Sequence, residues 1–125
     1  MNTTISSGIL DITISTKGAE LQSIFNNKTN LEYLWSGDEK FWGKKSPVLF
    51  PIVGGLKNGK YSYQGKEYSL GRHGFARDHF FEFHQQTEQS ITFLLKSNNT
   101  TLQHYPFHFN FFITYTVEEN KLICT

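Results

Sequence analysis

Apolar and polar residues alternate with a period of two along most of this chain. Leu10, Ile12 and Ile14 interleave with Ile9, Asp11, Thr13 and Ser15, so each set stands on one face of an extended strand. Gly18 interrupts the run, residues 19–25 (AELQSIF) read as the return strand, and turn-forming residues at 26–30 follow, which predicts a hairpin. A third short strand is expected at 31–35, then a loop at 37–43 (GDEKFWG) with at most one helical turn. Residues 48–53 read as a further strand running up to Gly54 and Gly55. Segments 60–63 and 66–70 flank Gln64 and Gly65 and predict a tight hairpin with paired arms. Strands at 80–85, 90–97, 107–116 and 121–124 complete the series, and no helix of ordinary length is expected. Short strands at regular spacing, with turn signals between them, predict an all-β fold, an antiparallel sandwich or barrel.

Composition sharpens this picture. Aromatic residues make up 16 % of the 125 residues, with 12 Phe and 6 Tyr, which suits pleated, half-buried surfaces. Such rings fill cores, and they also stack on the apolar faces of sugars. Twelve Lys and Arg against 11 Asp and Glu give a formal charge of +1, so no field of one sign points to nucleic acid or an anionic membrane. The expected partner is small or neutral. A single cysteine, Cys124, leaves no internal disulfide, and the N-terminus has neither a basic region nor an apolar stretch of signal-peptide length; a reducing, cytoplasmic setting is expected. No window approaches the ~20 apolar residues that cross a bilayer. The final residues, KLICT, read as a strand in progress with no turn chemistry after it. Residues 1–125 are therefore expected to be the N-terminal portion of a longer protein, with the remainder of the same fold following Thr125.

Candidate chemistry concentrates at 71–77, GRHGFAR, where His73 stands between Arg72 and Gly74 with Arg77 close behind. An imidazole on a sharply turning backbone can donate and accept protons near neutrality, and two guanidiniums can hydrogen-bond hydroxyl or carbonyl oxygens. No carboxylate is evidently paired with His73; Asp78 adjoins Arg77 and is expected to neutralise it. Metal binding is not expected. His104 and His108 lie in HYPFH, where Pro106 opposes the helix that would align them. No nucleophile elbow surrounds a serine, Cys124 lies in an apolar strand, and the Gly54-Gly55 pair lacks the spacing of a phosphate loop. No cofactor is expected.

The order of LFPIVG, a YxYxGKxYxL hairpin and HGFAR, preceded by NLEYLW and followed by YPFHFNFFITYTV, resembles the N-terminal signature of the aldose 1-epimerase (galactose mutarotase) superfamily, in its LacX-like branch. The resemblance runs from about Gly8 onward. It implies the N-terminal part of a galactose mutarotase-like β-supersandwich and interconversion of the α and β anomers of a free hexose. A carboxylate would take the anomeric proton and a histidine would protonate the ring oxygen. It also implies that His73 is the first of the family's two site histidines and that Arg77, with Arg72 and Phe75, belongs to the sugar-binding surface. The second histidine and the glutamate base have no counterpart in this chain, and Gly55 stands where many relatives carry an arginine. Two alternatives stay open: a carbohydrate-binding or sensing module without turnover, suggested by Gly55, and an epimerase of a phosphorylated hexose, suggested by Lys44 and Lys45 before the LFP motif.

Overall fold

The structure is a computed structural model and describes residues 1–125. Its chain order is β1 (Asn2–Ser6), β2 (Leu10–Ser15), β3 (Leu21–Asn26), β4 (Leu31–Glu32), β5 (Lys60–Tyr63), β6 (Lys66–Ser69), β7 (Glu82–Gln86), β8 (Ser90–Lys96), α1 (Asn99–His104), β9 (Asn110–Glu118) and β10 (Lys121–Cys124). Two 3₁₀ turns, Lys57–Gly59 and Ala76–Asp78, interrupt the long connections. One sheet has the order β1, β2, β3, β4, a second the order β10, β9, β8, β7, and β5 pairs with β6 apart from both. All named strand pairs are antiparallel.

The alternation predicted from sequence is what builds the core. Leu10, Ile12 and Ile14 of β2 are buried, while Asp11, Thr13 and Ser15 are not. From the second sheet, Ile91, Phe93 and Leu95 of β8 and Ile113, Tyr115 and Val117 of β9 join the same cluster, so the two sheets close on one apolar interior. On the outer side of that sheet the hydroxyls of Thr92 and Thr114, 2.9 Å apart, and of Ser90 and Thr116, 3.1 Å apart, pair across the strands. Tyr115 crosses the core to donate to the Ala19 carbonyl (2.7 Å), and burial pushes its hydroxyl well above the usual phenol range.

The hairpin at Gln64-Gly65 forms as expected, with Tyr61 opposite Tyr68 and positive φ at both turn residues (48° and 74°), the geometry that matches strand twist. Several expectations change. Strand β1 lies outside the predicted series because NTTIS offers only one buried residue, Ile5; its pairing with β2 supplies what the pattern lacks. The third strand contracts to Leu31–Glu32, and β9 begins at Asn110 instead of 107. The six-residue helix α1 was not expected from sequence; the Asn98 side chain accepts from Thr100 N–H (2.9 Å) and Thr101 N–H (3.0 Å) and caps its first turn. Residues 48–53 are not a strand. Pro51 has no amide to donate, and Phe50 makes only an isolated parallel bridge to Gly74.

Candidate functional site

That bridge ties together the two loops which hold the candidate residues. The Phe50 carbonyl accepts from both Phe75 N–H (2.9 Å) and Ala76 N–H (3.1 Å), the second bond in the first turn of Ala76–Asp78. A Cβ on Gly74 would stand 2.2 Å from the Phe50 oxygen, so only glycine admits this approach. Further along the same pair of loops, His73 N–H donates to the Gly54 carbonyl (2.8 Å) and Gly54 N–H donates to His73 Nδ1 (2.8 Å). His73 thus has its backbone and its ring held by one residue of the opposite loop. It sits at φ 67°, in the left-handed region that few residues other than glycine adopt, histidine among the more frequent of them. Nε2 makes no hydrogen bond within the chain, and His73 is half-buried.

Aromatic side chains support both loops. The Phe50 ring stacks on Phe111 (centroids 4.3 Å) and meets Phe109, Phe75 and Tyr105 edge-on. Phe75, half-buried, also packs on His79 and Phe109, and His79 Nδ1–H donates to the Phe75 carbonyl (2.9 Å). The segment YPFHFNFF therefore serves as a cushion under the LFP and HGFAR loops, in addition to starting β9.

The two arginines diverge. Arg72 is exposed, and its carbonyl accepts from Arg77 Nη2 (2.9 Å). Arg77 Nε is buried with no hydrogen-bond partner, 3.9 Å from the Asp78 carboxylate, so the expected neutralisation by Asp78 is only a loose contact. Arg77 lines a polar cleft of about 310 Å³ together with Lys17, Lys44, Lys45, Ser15, Glu20 and Ser36. Lys45 Nζ donates to the Gln22 carbonyl (2.7 Å), and Glu20 accepts from the amides of Lys45 (3.0 Å) and Ser46 (2.9 Å), which pins the loop in place. Four cationic side chains against one carboxylate leave the cleft electropositive. His73 does not line it.

The aldose 1-epimerase family profile matches residues 1–125. This chain belongs to the aldose 1-epimerase family. Chromosomal Protein LacX of Lactococcus lactis subsp. lactis is 36 % identical over 118 residues, which are 90 % of this chain and 39 % of that protein. A galactose mutarotase related enzyme from Lactobacillus acidophilus shares 48 % identity at a TM-score of 0.95, over 98 % of this chain and 41 % of its own. A galactose mutarotase-like protein from Lactobacillus casei superimposes equally well, at 35 % identity and a TM-score of 0.95, with 99 % and 42 % covered. The chain thus spans about two-fifths of the length of these relatives. Its fold is the all-β, antiparallel N-terminal part of the galactose mutarotase-like architecture.

Within this aldose epimerase family segment, the remaining polar candidates are occupied structurally. His104 Nδ1–H donates to the Ser69 carbonyl (3.0 Å), and His108 Nδ1 lies 3.3 Å from the Ser97 hydroxyl. Cys124 is exposed at the edge of β10, but its thiol lies beside Tyr115 and desolvation pushes it up, away from the thiolate a nucleophile needs. Three participants escape sequence reasoning. Gly54 acts through its backbone, which no residue type announces. Lys17 and Glu20 come from the β2–β3 turn and meet Lys44 and Arg77 only through folding. The one usable signal was positional: Lys44 and Lys45 stand next to the LFP motif.

Proposed function

We propose that residues 1–125 form the N-terminal portion of a single supersandwich domain of an aldose 1-epimerase, which interconverts the α and β anomers of a free hexose. The observation that carries the reading is His73 Nε2, without a partner in the chain on a loop held rigid at Gly54, Phe50 and Gly74. In the proposed reaction a carboxylate from the remainder of the fold removes the anomeric hydroxyl proton while the ring oxygen gains one. The ring opens, the C1–C2 bond rotates, and closure on the other face yields the second anomer. His73 stands at the ring oxygen, and Arg77, with Arg72 and Phe75, borders the sugar. No metal or cofactor enters these steps. The unpaired cysteine fits a reducing compartment. Polarimetry on the full-length protein tests the reading: freshly dissolved hexose should reach anomeric equilibrium faster with the protein than with buffer. Sugar binding without faster exchange would instead make it a binding module.

One observation favours a second reading, a phosphorylated hexose as substrate. The cleft that contains Arg77 is lined by Lys17, Lys44 and Lys45, which suits a phosphate better than a neutral hydroxyl. Comparing kcat/KM for a hexose and its phosphate ester, before and after Lys44→Ala, decides between them. A loss confined to the ester would establish the cleft as a phosphate subsite.

A further inference from the structure

We propose that the Gly54 backbone is the positioning group of this site: its amide fixes the ring tautomer of His73, so that the imidazole presents a permanent Nε2–H donor toward the ligand. This deepens the epimerase reading and rests on it for the identity of the ligand, though not for the tautomer.

A neutral imidazole carries one proton on one of its two nitrogens, and the neighbour of each nitrogen decides which. Gly54 N–H can only donate. At 2.8 Å from Nδ1 it requires a lone pair there, which places the ring proton on Nε2. The opposite tautomer would set two N–H groups against each other and lose the bond. Elsewhere the chain uses the reverse arrangement. His79 faces the Phe75 carbonyl and His104 the Ser69 carbonyl, so both carry the proton on Nδ1. His73 differs because its partner is an amide, held opposite by the His73 N–H bond to the Gly54 carbonyl, so a ring flip would forfeit the bond to Nδ1. Gly54 achieves this at φ 81°, with nothing within 4 Å of where a Cβ would stand.

The chemical consequence separates two roles. A neutral Nε2–H is far too weak an acid to hand its proton to an ether oxygen. It can, however, hydrogen-bond the oxygen and stabilise charge that develops there.

Full-length protein labelled with ¹⁵N-histidine tests the tautomer directly, through one-bond and two-bond correlations of the imidazole nitrogens at neutral pH. The expected spectrum has His73 as an Nε2–H ring and His79 as an Nδ1–H ring. A proton on His73 Nδ1, or a mixture of both forms, overturns the proposal. The donor role is read from two variants. Asn at 73 keeps an acceptor for Gly54 N–H and lacks the distal donor, whereas Gln places an amide N–H near the Nε2 position. His73→Gln should retain activity within about tenfold of wild type and His73→Asn should lose about 10²-fold. Equal losses in two variants with wild-type melting temperatures overturn the donor role. If the wild type turns over neither a free hexose nor its phosphate, the epimerase reading fails, and the nitrogen spectrum still decides whether Gly54 sets the tautomer.

Discussion

His73 is the residue at which chemistry and backbone geometry meet. Its left-handed φ and its bonds to Gly54 mean that the ring braces the loop. His73→Ala should therefore lower stability by about 1–2 kcal/mol in addition to abolishing most activity, because it strains the backbone and strands an amide. His73→Asn should melt close to wild type, since asparagine tolerates left-handed backbone and can accept from Gly54. Equal melting temperatures for the two variants would show that the loop does not depend on the ring. Gly74→Ala is expected to be worse than either, with loss of several kcal/mol or failure to fold, because the new Cβ would lie inside the Phe50 carbonyl. A melting curve near wild type would refute this. Arg77→Lys should raise KM about tenfold with a smaller change in kcat, since one ammonium cannot reach both the Arg72 carbonyl and the cleft. A large fall in melting temperature with unchanged KM would make Arg77 a structural brace.

Among the elements, β4 shows how a two-residue strand holds a long loop. Glu32 Oε1 accepts from Ile24 N–H (2.8 Å) and Leu34 N–H (2.9 Å), and Oε2 accepts from Ser23 Oγ. Desolvation alone would raise this carboxyl, but these bonds and the nearby Lys45 outweigh it and hold it below its ordinary value of 4.5. A group depressed in the folded state adds stability above its unfolded pKa and loses it as pH falls through the folded one. Melting temperature should accordingly fall more steeply with acidification below about pH 4.5 in wild type than in Glu32→Gln. Parallel slopes would remove Glu32 from the account. The aromatic cushion is the second element-scale device: Phe50, Phe75, Tyr105, Phe109 and Phe111 couple two irregular loops to the start of β9, so the site's precision comes from packing around loops that have no ladder of their own.

For the whole molecule, the exposed apolar side chains are the telling feature. Phe41 is 79 % exposed, Phe80 69 % and Tyr33 57 %, with Trp35, Trp42, Phe112 and Ile123 also at the surface. β10 forms one edge of its sheet and carries Ile123 there. Surface of this kind calls for a covering partner, and the relatives that share this fold are more than twice as long. The 125-residue chain on its own is expected to self-associate in sedimentation experiments. A monomeric boundary with a sharp, cooperative melt would overturn this.

Much of this architecture was legible in the sequence because it is local. The period-two pattern marks β2, β3, β8 and the inward face of β9, and Gln64-Gly65 marks its turn, since alternation and turn chemistry act between near neighbours. The motif order likewise identified the family and pointed to His73. Tertiary structure alone decided the rest. Residues 48–53 have the apolar composition of a strand but give the Phe50 carbonyl to the HGFAR loop, and β1 exists because β2 offers it an edge. The site itself depends on such distant meetings: an amide at Gly54 against a ring at His73, and lysines from two separate segments around Arg77. Backbone donors and assembled charge carry no mark in the residue string, because they acquire meaning only when the chain brings them together.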